Sequence, residues 1–169
     1  MGAFGRDVIG LTYAQSDNIV IILNGVGIPA RILPGFLVVK YGVNNVFLPL
    51  VFINTIIIFC WLAVKDVSGF YTFTIFAGMF AASWQGMFPT CIANLSNDIT
   101  KTGTRLGMAF TVISIAGLTG GPIGGALLGT DHASYMPAQV WAAATMVVGL
   151  GFAIAVRGVK YGWDWRAKC

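Results

Sequence analysis

Long apolar blocks alternate with short polar breaks along the chain. The block at positions 46–64 is the plainest: nineteen residues whose only strongly polar side chains are Asn54 and Thr55, closed by Lys65 and Asp66. At about 1.5 Å per residue, such a run forms a helix able to cross most of the roughly 30 Å hydrocarbon core of a bilayer. Blocks at about 18–40, 71–95, 106–129 and 139–156 have the same character and predict four more membrane-crossing helices. Asp17 and Asn18 read as the cap of the first of these. Pro29 and Pro34 predict a break or kink within it, because proline lacks the backbone donor and its ring clashes with the preceding turn. Residues 96–105, SNDITKTGTR, are too polar for a bilayer and read as a loop. Residues 1–17 precede the bundle as a non-cytoplasmic segment with no expected signal peptide or lipid anchor, and 157–169 follow it as a basic, aromatic tail.

Composition strengthens this pattern into a fold class. Only 9% of the 169 residues are charged, there is no Glu, and 57% are hydrophobic. Soluble domains carry about 25% charge, so an all-α polytopic membrane protein with five transmembrane helices is expected, with the lipid bilayer as its first partner. Acid–base chemistry has little to work with: six Asp, one His, and three Cys (Cys60, Cys91, Cys169) with no CxxC spacing. No catalytic residue, no metal and no cofactor are therefore expected, and the chain does not read as an enzyme.

The net charge of +4 is a matter of topology and does not point to nucleic acid. Lys40, Lys101, Arg105, Arg157, Lys160, Arg166 and Lys168 fall on one side of the predicted bundle, against Arg6 and Lys65 on the other. Seven against two places the C-terminus in the cytoplasm by the positive-inside rule. Tyr161, Trp163 and Trp165 beside the tail cations fit either a headgroup anchor or a solvated tail.

The tenth cation, Arg31, lies inside a span, where a charge costs roughly 2.5–3.5 kcal/mol on insertion scales. Asp17, Asn24 and Arg31 are seven residues apart and share a polar stripe, with Gly27 and Gly35 leaving space around the arginine. Arg31 either binds or gates a solute, or it reaches for the membrane edge or a backbone carbonyl at the proline break. Trp84 and Gln85, near the middle of the third block, are candidate solute contacts or interhelical glue, and Asn54 reads as glue. Gly117, Gly121 and Gly125 repeat at four-residue spacing around Pro122 and predict a close helix–helix face. Asp131 and His132 read as an exposed loop pair, and only Asp17 offers a carboxylate at the margin of a span.

The segments ILNGVGIPARILPGFLVVKYG, NDITKTGTRLGMAF and GLTGGPIGGALLG together resemble the C-terminal half of a major facilitator superfamily transporter of the monocarboxylate-porter type, in its fungal branch. The resemblance covers nearly the whole chain and implies that the five helices correspond to spans 8–12 of a twelve-helix protein. It implies that Arg31 matches an arginine that binds a substrate carboxylate. It also implies that Gly35, Lys40 and Gly42 belong to a loop motif of the form Gly-x-x-x-Asp-Arg/Lys-x-Gly, in which Val39 stands here in place of the acid. The expected function is transport of a small organic anion or secondary metabolite by a truncated secondary transporter, with Arg31, Asn24, Trp84 and Gln85 at the solute. The alternative is a non-transporting fragment that associates through its helices with a full-length relative. Further partners are then the missing N-terminal half or a homologous transporter, and the expected location is the plasma membrane ahead of the vacuole.

Overall fold

Helix formation starts earlier than the polar cap at Asp17 suggests. Thr12 and Gln15 form a reciprocal capping box: the Gln15 N–H donates to the Thr12 hydroxyl oxygen, and the Thr12 N–H donates to the Gln15 side-chain oxygen at 3.0 Å. The computed structural model describes residues 1–96, 99–129 and 135–161. A short helix α1 (Gly2–Asp7) precedes five long ones: α2 (Tyr13–Tyr41), α3 (Val43–Cys60), α4 (Val67–Leu95), α5 (Thr102–Gly129) and α6 (Met136–Tyr161). Each long helix begins three to five residues before its apolar block. Among the described residues the remaining regular elements are two 3-10 turns, Trp61–Ala63 and Ile99–Lys101. The chain is an all-α polytopic membrane protein.

Several boundaries differ from those expected. The helix around Pro29 and Pro34 is not broken: α2 runs through both. The link between α2 and α3 shrinks to the single residue Gly42, whose φ of 88° a side chain would strain, and Gly42 N–H closes α2 by donating to Val38 O. The tail does not begin at 157, since α6 continues to Tyr161 and Arg157 is buried against Asn45 of α3, to which it donates a hydrogen bond. Asp131, His132, Trp163, Trp165 and Cys169 lie outside the described residues.

Five crossings were expected, and four described helices are both long and apolar enough to cross a membrane: Tyr13–Tyr41, Val43–Ala63, Thr102–Leu128 and Met136–Val159. The fifth, α4, is as long as α2 but is diluted by Thr72, Thr74, Ser83, Gln85 and Asn94. Its position accounts for this, because α4 lies between α2 and α3 and turns its surface to other helices. Its hydroxyls are satisfied within the helix: Thr74 donates to Phe70 O at 2.8 Å and Thr72 to Ser68 O at 3.0 Å. From α3 the packing continues to α6, while α5 touches α4 and α6 lightly and buries no residue of its most apolar stretch.

Two apolar clusters hold opposite ends of this array. At one end Phe4, Leu11, Ile19, Phe70, Phe73 and Ala77 are buried together. Phe4 meets Trp61 and Tyr135 edge-on with ring centroids 5.5 and 5.3 Å apart, so α1 plugs the space between α4, the Trp61 turn and the start of α6. Ser16 donates to Gly2 O at 2.7 Å, and Tyr135 donates its phenol to Asp7, tying α1 to its neighbours. At the other end Val43 and Val46 of α3 meet Met87 and Cys91 of α4.

The tightest approach lies between the clusters. A Cβ built on Gly78 would stand 2.6 Å from Leu23 O, a contact that only a backbone shift relieves. Gly78→Ala is expected to lower stability by about 1–3 kcal/mol through overpacking, seen as a lower unfolding midpoint in detergent. Gly35→Ala, with nothing within 4 Å, is expected to stay within about 0.5 kcal/mol.

The phenol of Tyr135 is pushed up to about 12 by burial first, then by its hydrogen bond to Asp7 and the Asp7 charge, with Arg6 opposing. A raised acid pKa favours the neutral phenol in the fold. The clasp is therefore fully present below about pH 10, the ordinary tyrosine value, and is lost as pH rises through about 12. Unfolding curves across this window are expected to fall further for the wild-type chain than for Tyr135→Phe.

Candidate functional site

Pro34 shapes the site by what it lacks. A helical residue would donate its N–H to the carbonyl four residues earlier, so proline leaves Ala30 O without that bond. The buried Ser83 of α4 supplies the donor: its hydroxyl is 2.7 Å from Ala30 O and 2.8 Å from Met79 O in its own helix. Around this bond the facing surfaces are small. Gly27 abuts Ala82, where an added Cβ would stand 3.0 Å from Ala82 Cβ, and Gly78 meets the Leu23 backbone.

Beside this contact is a shallow crevice of about 80 Å³, lined by Leu23, Asn24, Gly27 and Arg31 of α2 and by Gly78, Ala81, Ala82 and Gln85 of α4. Three of the four expected solute residues, Arg31, Asn24 and Gln85, thus meet in one place. Arg31 lies in the middle of α2 and is exposed, its stem resting over Gly86, where a Cβ would stand 3.4 Å from Arg31 Cγ. Among the described residues it has no hydrogen-bond or ion-pair partner. Asn24 donates to Val20 O at 2.9 Å, which leaves its side-chain oxygen for other contacts, and Asp17 is exposed two turns earlier on the same stripe.

The fourth residue goes elsewhere. Trp84 precedes Gln85 by one position, about 100° around the helix, and lines a different cavity between α3, α4 and α6. The loop-motif residues also divide by role. Gly42 makes the α2–α3 turn, Lys40 is exposed with Nζ 5.3 Å from the Tyr41 ring centroid, and Gly35 is exposed with open space around it. The row Gly117, Gly121 and Gly125 is open as well: nothing among the described residues lies within 4 Å of a Cβ built there. Asn54 is 1% exposed at the α3–α6 contact, where it donates to Met146 Sδ at 3.8 Å.

Sequence reasoning missed the role of Ser83. The signal was present, since an interior proline announces an orphan carbonyl four positions earlier, but nothing local to Ser83 names its acceptor 53 residues away. It also missed Asn44, which precedes the apolar block at 46–64 but belongs to α3 and lines the second cavity.

Chemically, the crevice offers a guanidinium and two carboxamides. These donors suit an anionic oxygen, with the guanidinium able to bind a carboxylate in a fork. Among the described residues no three His, Cys, Asp or Glu side chains gather to hold a metal.

Comparison with known proteins gives this arrangement a context. The chain is 35% identical to an MFS-type transporter of Gibberella zeae over 156 residues, which is 91% of this chain and 35% of that protein. It is 29% identical to the aspyridones efflux protein apdF of Emericella nidulans over 92% of this chain and 32% of that one. With the MFS-type transporter dbaD of the same fungus the identity is 34%, over 82% and 31%. The chain thus has fungal MFS-type transporters as homologues and spans about one third of their length. These relatives are named as transporters or as an efflux protein. No family model matches the chain, and no solved structure matches it.

If the crevice faces the aqueous solute path, Arg31 is reachable from water, whereas Ile32, an exposed apolar side chain next to it, is expected to face lipid. In a background without native cysteines, Arg31→Cys is expected to react with a charged, membrane-impermeant thiol reagent at least tenfold faster than Ile32→Cys, as read by mass shift.

Proposed function

We propose that this chain is the C-terminal part of a major facilitator superfamily transporter that moves a small organic anion or secondary metabolite out across a fungal membrane. The observation that carries this reading is the meeting of Arg31, Asn24 and Gln85 in one crevice between α2 and α4, with the arginine unpaired among the described residues. A charge at that depth needs compensation, and a solute carboxylate supplies it. The relatives support the class of solute, since one is named for the efflux of aspyridones.

The finer parts of the reading are the monocarboxylate-porter type, the cytoplasmic C-terminus and the plasma membrane as location. They rest on the resemblance of the loop and glycine segments and on the seven-to-two distribution of Lys and Arg. In such a transporter the solute lies between two helical halves that rock about the midplane, so Arg31 forms one wall and the opposite wall comes from the rest of the protein. The open face of α5 favours the same picture, because an apolar helix with no buried residue in its most apolar stretch is placed to meet further helices. That observation equally favours the second reading, a fragment that docks on a full-length relative and carries no solute.

The test grafts this chain in place of the matching segment of the Gibberella zeae relative and follows efflux of a fluorescent aromatic carboxylate from vesicles. Arg31→Gln is expected to slow efflux at least tenfold, about the loss of one charge-assisted hydrogen bond, and Arg31→Lys to retain part of it. Wild-type efflux by the Gln variant sinks the role of Arg31. No efflux by the graft, with the ungrafted relative active, turns the reading to the docking fragment.

A further inference from the structure

The bond from Ser83 to Ala30 O holds the residue that precedes Arg31 in the chain. A hydroxyl has one proton, yet Ser83 Oγ lies 2.7 Å from Ala30 O and 2.8 Å from Met79 O. By helix geometry Met79 O already has a donor, the Ser83 N–H four residues on. Ala30 O has lost its corresponding donor to Pro34, and Ala30 is 1% exposed, which keeps water away from it. The proton is therefore worth more at Ala30 O, and the bond it forms there crosses from α4 to α2.

The neighbouring contacts set the distance between the two helices but not their angle. Gly27 against Ala82 and Gly78 against the Leu23 backbone are close van der Waals contacts, which have no direction. A hydrogen bond does have one. Arg31 follows Ala30 by one position, about 100° around α2. Its stem lies over Gly86 of α4, where a Cβ would stand 3.4 Å from Arg31 Cγ and 3.5 Å from Arg31 Cβ. A turn of α2 by about 20° would carry a side-chain tip roughly 6 Å from the helix axis through about 2 Å. That displacement shifts the guanidinium off its bed on Gly86 and relative to Gln85 across the crevice.

We infer that Ser83 is a positioning residue for Arg31: its bond to Ala30 O fixes the angle of α2 on α4, and with it the place where the guanidinium meets a solute anion. This rests on the reading of Arg31 as the anion contact. Ser83 is 5% exposed and does not line the crevice, so it acts through the α2 backbone and does not touch the solute. Charge-assisted bonds to a carboxylate need the guanidinium held to within about 0.5 Å, which a 2 Å swing exceeds.

The test uses the graft in the Gibberella zeae relative and reads KM and kcat for efflux of a fluorescent aromatic carboxylate. Ser83→Ala is expected to raise KM about fivefold and to leave kcat within about twofold, and Ser83→Thr, which keeps the hydroxyl, to restore most of the loss. In an Arg31→Gln chain the same Ser83→Ala change is expected to move KM by less than about twofold, because the group it positions is gone. Pro34→Ala separates positioning from the simple pairing of a carbonyl, since it returns an N–H to Ala30 O. In that background Ser83→Ala is expected to lower the unfolding midpoint in detergent less than it does with Pro34 present, yet still to raise KM by about threefold or more. A fall in kcat with unchanged KM marks a smaller folded fraction and overturns the inference. So does a KM effect that Pro34→Ala abolishes, or one of equal size with and without Arg31. Wild-type KM for Ser83→Ala, with Arg31→Gln impaired, removes this inference and leaves the transport reading standing. An inactive graft, or wild-type efflux by Arg31→Gln, removes the anion contact and this inference together.

Discussion

The close passage of α2 over α4 at Gly78 is the constraint on which the remaining geometry depends. Leu23 O occupies the space that a Cβ at position 78 would take, so the two backbones are nearly in contact. Only at that distance can Ser83 reach across to Ala30 O, and only because Pro34 has left that carbonyl without its usual donor. Once α4 is fixed against α2 in this register, its angular positions are assigned. Gln85 turns to the crevice beside Arg31, Trp84 turns toward α3 and α6, and Met87 and Cys91 meet the start of α3. A single glycine thus decides which side of α4 serves which cavity.

The fold class was legible in the sequence because hydrocarbon is a demanding solvent. A helix that crosses it must be apolar for about 20 residues, and that signal stands out in four of the five long helices. The helix ends were less legible, since beyond the apolar block they depend on local bonds such as the Thr12–Gln15 box or the turn at Gly42. Of the break or kink expected at Pro29 and Pro34, the break is absent: α2 runs through both, and at Ala30 the bond lost to Pro34 is replaced from a neighbouring helix. Of the candidate solute residues, the seven-residue spacing of Asn24 and Arg31 carried real information, because both sit on one helix. Trp84 and Gln85 were paired by adjacency, which on a helix means separation.

The two arginines of the spans illustrate how differently one residue type can be accommodated. Arg157, near the end of α6, is 5% exposed and donates to Asn45, fastening α6 to α3. Arg31, at mid-helix, lies exposed over Gly86 and beside the two amides of the crevice. The first arrangement turns guanidinium donors, Nη1 among them, to holding α6 against α3. The second keeps them available, and this difference, rather than the presence of charge, separates a structural cation from a candidate ligand contact.

The hydroxyl of Ser83 lies within bonding distance of two carbonyls, one on each helix. If α2 and α4 slide or part, the hydroxyl keeps its partner at Met79 O and no donor is stranded in the apolar interior. The group left bare is Ala30 O, an acceptor that opens onto the contact between the helices and can take a water. The junction is therefore built asymmetrically, like a latch whose bolt stays on one side of the door, and α2 can shift register without a polar group of α4 becoming unpaired.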